Sequence, residues 1–220
     1  MLNKHNNSYW YELLAKSTLQ VVFPEEFKAL KSSDKPDLID TSLKIGIEVI
    51  HPVDERHMQL DSFYQKFLSG KTIAEVSEKG LSRFRENLYD IMIDKNDGTI
   101  YAYKKPYQEF NIELLYEAIE KKAKKLNESQ YLYSTNASLY LEMAMCSLES
   151  MHCSVAEKIL DYAINQQNQY PLFYKEIFYD CIMALYRINL VTRTITKYDI
   201  SDLADSIDVK FKENQNHIAE

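Results

Sequence analysis

Two carboxylates are set into strand-forming sequence between residues 35 and 50, and this stretch constrains the fold more than any other part of the chain. It reads Lys35-Pro36-Asp37-Leu38-Ile39-Asp40-Thr41-Ser42-Leu43-Lys44-Ile45-Gly46-Ile47-Glu48-Val49-Ile50. Leu38-Ile39 and Ile45 to Ile50 are β-rich and Thr41-Ser42 supplies a turn, so an antiparallel hairpin is predicted. With the turn centred on Ser42 and Leu43, residue 37 pairs with 48, 38 with 47, 39 with 46 and 40 with 45. Opposed residues share a face with Cβ atoms about 4.5–5.5 Å apart, which brings Asp37 to Glu48. Ile45, Ile47, Val49 and Ile50 put apolar residues on both faces of the second strand, so Glu48 is predicted to be buried and to need a partner. Two carboxylates this close repel unless a cation lies between them. Mg²⁺, which prefers carboxylate oxygens and water, is the natural one.

Pro36-Asp37, a turn, and Gly46-Ile47-Glu48-Val49 on the next strand resemble the PD-(D/E)XK, or restriction-endonuclease-like, nuclease superfamily. The resemblance covers Pro36 to Ile50. It implies an α/β fold with a mixed sheet flanked by helices in three layers, α/β/α. It also implies a nuclease dependent on Mg²⁺, or alternatively Mn²⁺, that hydrolyses phosphodiester bonds in DNA ahead of RNA. Asp37 and Glu48 would be the catalytic metal ligands. An opening helix often adds an acid in this superfamily, which points to Glu12, with Glu25 and Glu26 behind it. The signature lysine is missing, because Ile50 stands two residues past Glu48. In some branches that lysine has moved to the helix behind the hairpin, which nominates Lys66, with Gln65 beside it and Lys71 just beyond. Lys44 ranks lower, since it shares the face of Glu48 but lies about 13 Å back along the strand. The alternative is an inactive nuclease-like fold that binds nucleic acid or protein, and a third is an unrelated α/β domain with a chance Pro-Asp.

The chain has 220 residues, 45% of them hydrophobic, enough for one domain with a proper core, residues 1–220, ending in a polar tail from about 212. Its net charge of −7 argues against a broadly basic nucleic-acid coat but leaves room for a local positive groove. Cys146, Cys153 and Cys181 have no metal-ligand spacing and suggest a reduced, cytoplasmic protein. No apolar run approaches the roughly 18 residues of a membrane span, so no membrane partner is expected.

Helical periodicity predicts helices over Tyr9 to Leu19, with Ser8 as cap, then Glu55 to Leu68, Ile73 to Tyr89, Ile112 to Leu126 and Ser154 to Gln166. Asn96-Asp97-Gly98 predicts a turn between Ile91-Met92-Ile93 and Ile100 to Tyr103. Strands are predicted at Ser138 to Met145 and Ile177 to Leu185, with Tyr186 to Leu190 as an edge. Strand, helix and strand at 138–185 make a βαβ unit and favour a mixed sheet. His51, Asp54, Glu55 and His57 could ligate Zn²⁺ or Mn²⁺, though a solvated loop explains them better. The lysines at 121–125 could track phosphates, but interleaved glutamates favour a solvated helix face.

Overall fold

The computed structural model describes residues 7–51, 70–78, 81–82, 89–104, 112–128, 132–143, 149–181 and 183–216. The chain divides into two compact units, one made of residues 1–52 and 112–220 and the other of residues 53–111.

In the first unit, helix α1 (Asn7–Val22) is followed by strands β1 (Lys31–Ser32), β2 (Leu38–Asp40) and β3 (Ile45–Ile50). Ser8 lies inside α1, not at its cap. Phe23-Pro24 ends the helix, since a residue before proline is pushed out of helical geometry. A turn closed by the Phe27 N–H on the Phe23 carbonyl follows. The β2–β3 hairpin has the predicted register, Leu38 with Ile47, Ile39 with Gly46 and Asp40 with Ile45.

Residues 112–220 add helix α2 (Ile112–Glu128), β6 (Ala137–Met143), α3 (Glu149–Gln167), β7 (Glu176–Cys181), β8 (Ala184–Asn189), β9 (Thr194–Asp199) and α4 (Ala204–Asn216). The second unit contributes β4 (Tyr89–Ile93) and β5 (Ile100–Lys104), an antiparallel pair on either side of the predicted turn at Asn96-Asp97-Gly98. Gly98 has φ +75°, which glycine adopts without steric cost. The helix predicted from Ile73 opens as a 3-10 turn over Ile73–Glu75, where Thr72 and Glu75 form a capping box and Thr72 bridges to Thr99, and Glu78, Leu81 and Ser82 are helical as predicted. Its predicted last residue, Tyr89, belongs to β4.

Seven strands form one mixed sheet in the order β1-β2-β3-β6-β7-β8-β9. β3, β6 and β7 run parallel, so the βαβ unit is present, while both flanks are antiparallel. The strand predicted over 177–185 is two strands. β7 and β8 pair with Cys181 opposite Ala184, and Tyr186 belongs to the interior strand β8 while β9 forms the edge. β9 escaped prediction because its strand is mostly exposed and polar, Thr194-Ile195-Thr196-Lys197.

Side chains alternate across the sheet. Ile47, Val49, Tyr140, Phe178 and Leu185 form one core with Ala15 and Leu19 of α1 and Ile207 of α4. Each large apolar side chain fully buried there contributes about 1.5–3 kcal/mol. Residues 212–216, expected as a loose tail, complete α4, because Asn214 is buried and donates to Ser17 Oγ at 3.0 Å and Gln20 Oε1 at 3.1 Å. Gly46, Glu48 and Ile50 occupy the opposite face by alternation. α2 reaches that face, so helices cover both sides of the sheet, compatible with a three-layer α/β arrangement.

Candidate active site

The hairpin is locked at both ends. At the turn, Asp40 Oδ1 accepts the Ser42 N–H at 2.8 Å, the Leu43 N–H at 3.0 Å and the Ser42 hydroxyl. Burial pushes the Asp40 carboxyl up, but these bonds outweigh it and hold the group below its ordinary value. At the open end, Pro36 lies on Gly46. A Cβ there would stand 2.6 Å from Pro36 Cγ and 3.1 Å from the Leu132 carbonyl, so only glycine fits. With Pro36 seated, Asp37 Oδ2 accepts the Val49 N–H at 2.7 Å, one residue past Glu48.

Glu48 is the buried acid that the sequence predicts, 3% exposed. Its partner comes from α2. Leu115, Ile119, Ala123 and Leu126 form the buried stripe of that helix, and Lys122 stands three residues after Ile119 and four before Leu126. That spacing turns it toward the sheet. Lys122 Nζ donates to Glu48 Oε2 and lies 3.4 Å from Asp37 Oδ2, so one ammonium bridges both carboxylates. The side chains of Glu48, Asp37 and Lys122 are 4%, 19% and 21% exposed, so solvent reaches the group past Asp37 and Lys122. Burial raises the Glu48 carboxyl above its ordinary range, Lys122 opposes the rise and the Asp37 charge adds to it.

Lys122 is the residue that sequence reasoning missed. Its lysine neighbours suggested a solvated face, yet it occupies a position of the apolar stripe, and that misfit was the available signal. Lys124 does sit on the solvated side, paired with Glu120 at 2.7 Å. Lys66 and Gln65 lie outside the described residues, as do Asp54, Glu55 and His57. Lys71 belongs to the second unit, where its carbonyl accepts the Ile100 N–H. Lys44 is in the hairpin turn with φ +54°. Ile50 ends β3 where the signature lysine would stand.

Glu12 lies on α1 next to Tyr11, whose ring stacks on His51 at 3.9 Å. Among the described residues no group of three or more His, Cys, Asp or Glu side chains could hold a metal ion, and Lys122 joins two acids, Asp37 and Glu48. Glu26 is engaged elsewhere. It receives two bonds of 2.7 Å from Arg187, which also grips Glu176, and Glu25 is exposed. No described helix is long and apolar enough to cross a membrane.

Comparison with protein-family models, curated proteins and solved structures gave no match to this chain.

Proposed function

We propose that the chain is a divalent-metal-dependent nuclease of the PD-(D/E)XK kind, with Lys122 in place of the missing strand lysine. The observation that carries this reading is the single ammonium bridging Asp37 and Glu48. Hairpin register, a buried strand acid and a helix-borne lysine converge there from three elements. The donor set fits Mg²⁺ or Mn²⁺, since two hard carboxylates already converge on one cation.

Such an ion, when bound, lowers the pKa of its water and offsets charge on the phosphoryl oxygen. Asp37 and Glu48 would bind and orient it, and the burial of Glu48 would keep that carboxylate in one pose. Lys122, partly exposed at the mouth of the pair, would place its ammonium against a phosphate oxygen, where a preorganised positive charge stabilises the transition state. The substrate of this reading is a phosphodiester of DNA, and Glu12 remains a candidate to assist from α1.

A second reading keeps the fold and drops catalysis. Lys122 already fills the cation position, so the pair could be structural and the protein a nucleic-acid or protein-binding module. Incubation of plasmid and single-stranded DNA with Mg²⁺ or Mn²⁺ separates the two. Cleavage by the wild type that is lost in Asp37→Asn and Glu48→Gln supports the nuclease. Cleavage unchanged in both variants removes these acids from the chemistry.

A further inference from the structure

The cleft of about 420 Å³ between α1 and α4, lined by Trp10, Leu14, Ile207 and Phe211, has nothing that specifies an occupant. The Arg187, Glu26 and Glu176 cluster satisfies itself with five hydrogen bonds, one of them from Asn189 to Glu176. The Asp37, Glu48 and Lys122 group carries an inference that neither of these does.

We infer that Lys122 is an internal counter-ion which a divalent cation must displace, so that the residue serving the phosphate also sets how tightly the metal binds. The inference rests on the metal-dependent reading above. Lys122 engages Glu48 Oε2 and Asp37 Oδ2, one oxygen from each of the two carboxylates that would hold the ion. Mg²⁺ bonds carboxylate oxygens at about 2.0–2.1 Å, so an ion shared by the two groups would compete with the ammonium for the space between them. The two cations also repel, most strongly beside a carboxylate as buried as Glu48. Lysine can move aside at small cost, because its charge is a compact head on a flexible four-carbon stem. Lys122 is 21% exposed, so the head has an outward path toward solvent, where a phosphate would arrive. Lys122 would thus be freed toward the phosphate when the ion is bound. Without metal, the ammonium keeps two adjacent carboxylates from repelling each other and spares the site a buried unpaired charge.

The test is calorimetric titration of the whole chain with Mn²⁺ alone, without nucleic acid. Lys122→Met should bind the ion about tenfold more tightly than wild type, the size expected when a like charge is removed beside a site of opposite sign. Lys122→Arg keeps the charge and should gain nothing. Equal or weaker binding by Lys122→Met, with measurable binding by wild type, overturns the inference and leaves the metal site standing. Absence of carboxylate-dependent binding in both proteins overturns the inference together with the metal reading. Should Lys122→Met fail to fold, the wild type supplies the same answer by another route. The side-chain NMR signal of Lys122, assigned by its loss in Lys122→Arg, must shift as Mg²⁺ saturates the site, and a signal unmoved at saturation overturns displacement.

Discussion

Lys122 donates to Glu48 across 74 residues of sequence, from the middle of a helix to the middle of a strand. The pairing explains how an acid can be buried at the heart of β3 without a lysine on its own strand. Ile50 contributes an apolar side chain where the superfamily's signature has a cation, and α2 delivers the cation through space.

On the proposed nuclease reading, turnover should depend on Lys122. In a DNA-cleavage assay Lys122→Met is expected to lose about 10²–10³ in rate, the usual cost of removing one preorganised charge from a transition state. Lys66→Ala, the substitution that the sequence alone would have nominated, should leave the rate within a fewfold of wild type. A larger loss for Lys66→Ala than for Lys122→Met would return the catalytic ammonium to the helix predicted behind the hairpin.

Stability should fall as Glu48 ionises. Burial raises its carboxyl in the folded state, so the folded protein holds that proton more tightly than the unfolded chain does. The favourable contribution is complete below the ordinary glutamate value of about 4.3 and is lost as pH rises through the raised folded value. Glu48→Gln lacks this dependence. Urea midpoints at about pH 4 and about pH 8 should show the wild type losing ground to Glu48→Gln at the higher pH, and a constant gap would contradict the burial argument.

The sequence was most legible where neighbours in the chain are neighbours in space. The 38–47, 39–46 and 40–45 register followed from alternation and turn residues, and the turn between β4 and β5 from Asn96-Asp97-Gly98. Lys122 was illegible for the opposite reason. Its partners lie 74 and 85 residues away, and local charge alternation with Glu117 and Glu120 suggested solvent. The β7–β8 break failed for a third reason. Residues 177–186 are apolar almost throughout, and a two-residue connection between Cys181 and Ala184 carries no glycine or proline to mark it.

Gly46 ties stability to the site. Gly46→Ala would drive a methyl group to 2.6 Å from Pro36 Cγ, and the ring cannot stay in place. Overpacking of this kind costs about 1–3 kcal/mol. Displacement of Pro36 also moves Asp37, so on the proposed nuclease reading cleavage should fall further than the population of folded protein does. Denaturant melts and rates measured on the same samples separate the two effects, and a rate that merely tracks stability would free Asp37 from dependence on this contact.

Arg187 gives a prediction that belongs to the fold alone. Its guanidinium makes paired bonds to Glu26 and to Glu176 and lies 5.3 Å and 5.5 Å from the ring centroids of Phe23 and Phe178. These contacts pin the turn after α1 to β7 and β8. Arg187→Met leaves Glu176, whose side chain is 16% exposed, without its counter-charge and should destabilise by about 3 kcal/mol. Glu26→Gln should cost less than about 1 kcal/mol, because at 35% exposure water can replace much of what is lost. Since the cluster projects from the face of the sheet opposite Glu48, Mn²⁺ affinity measured on the folded fraction should be unchanged in both variants. A change in metal binding would show that the two faces are coupled through β7 and β6, the strands that lie between Arg187 and Glu48.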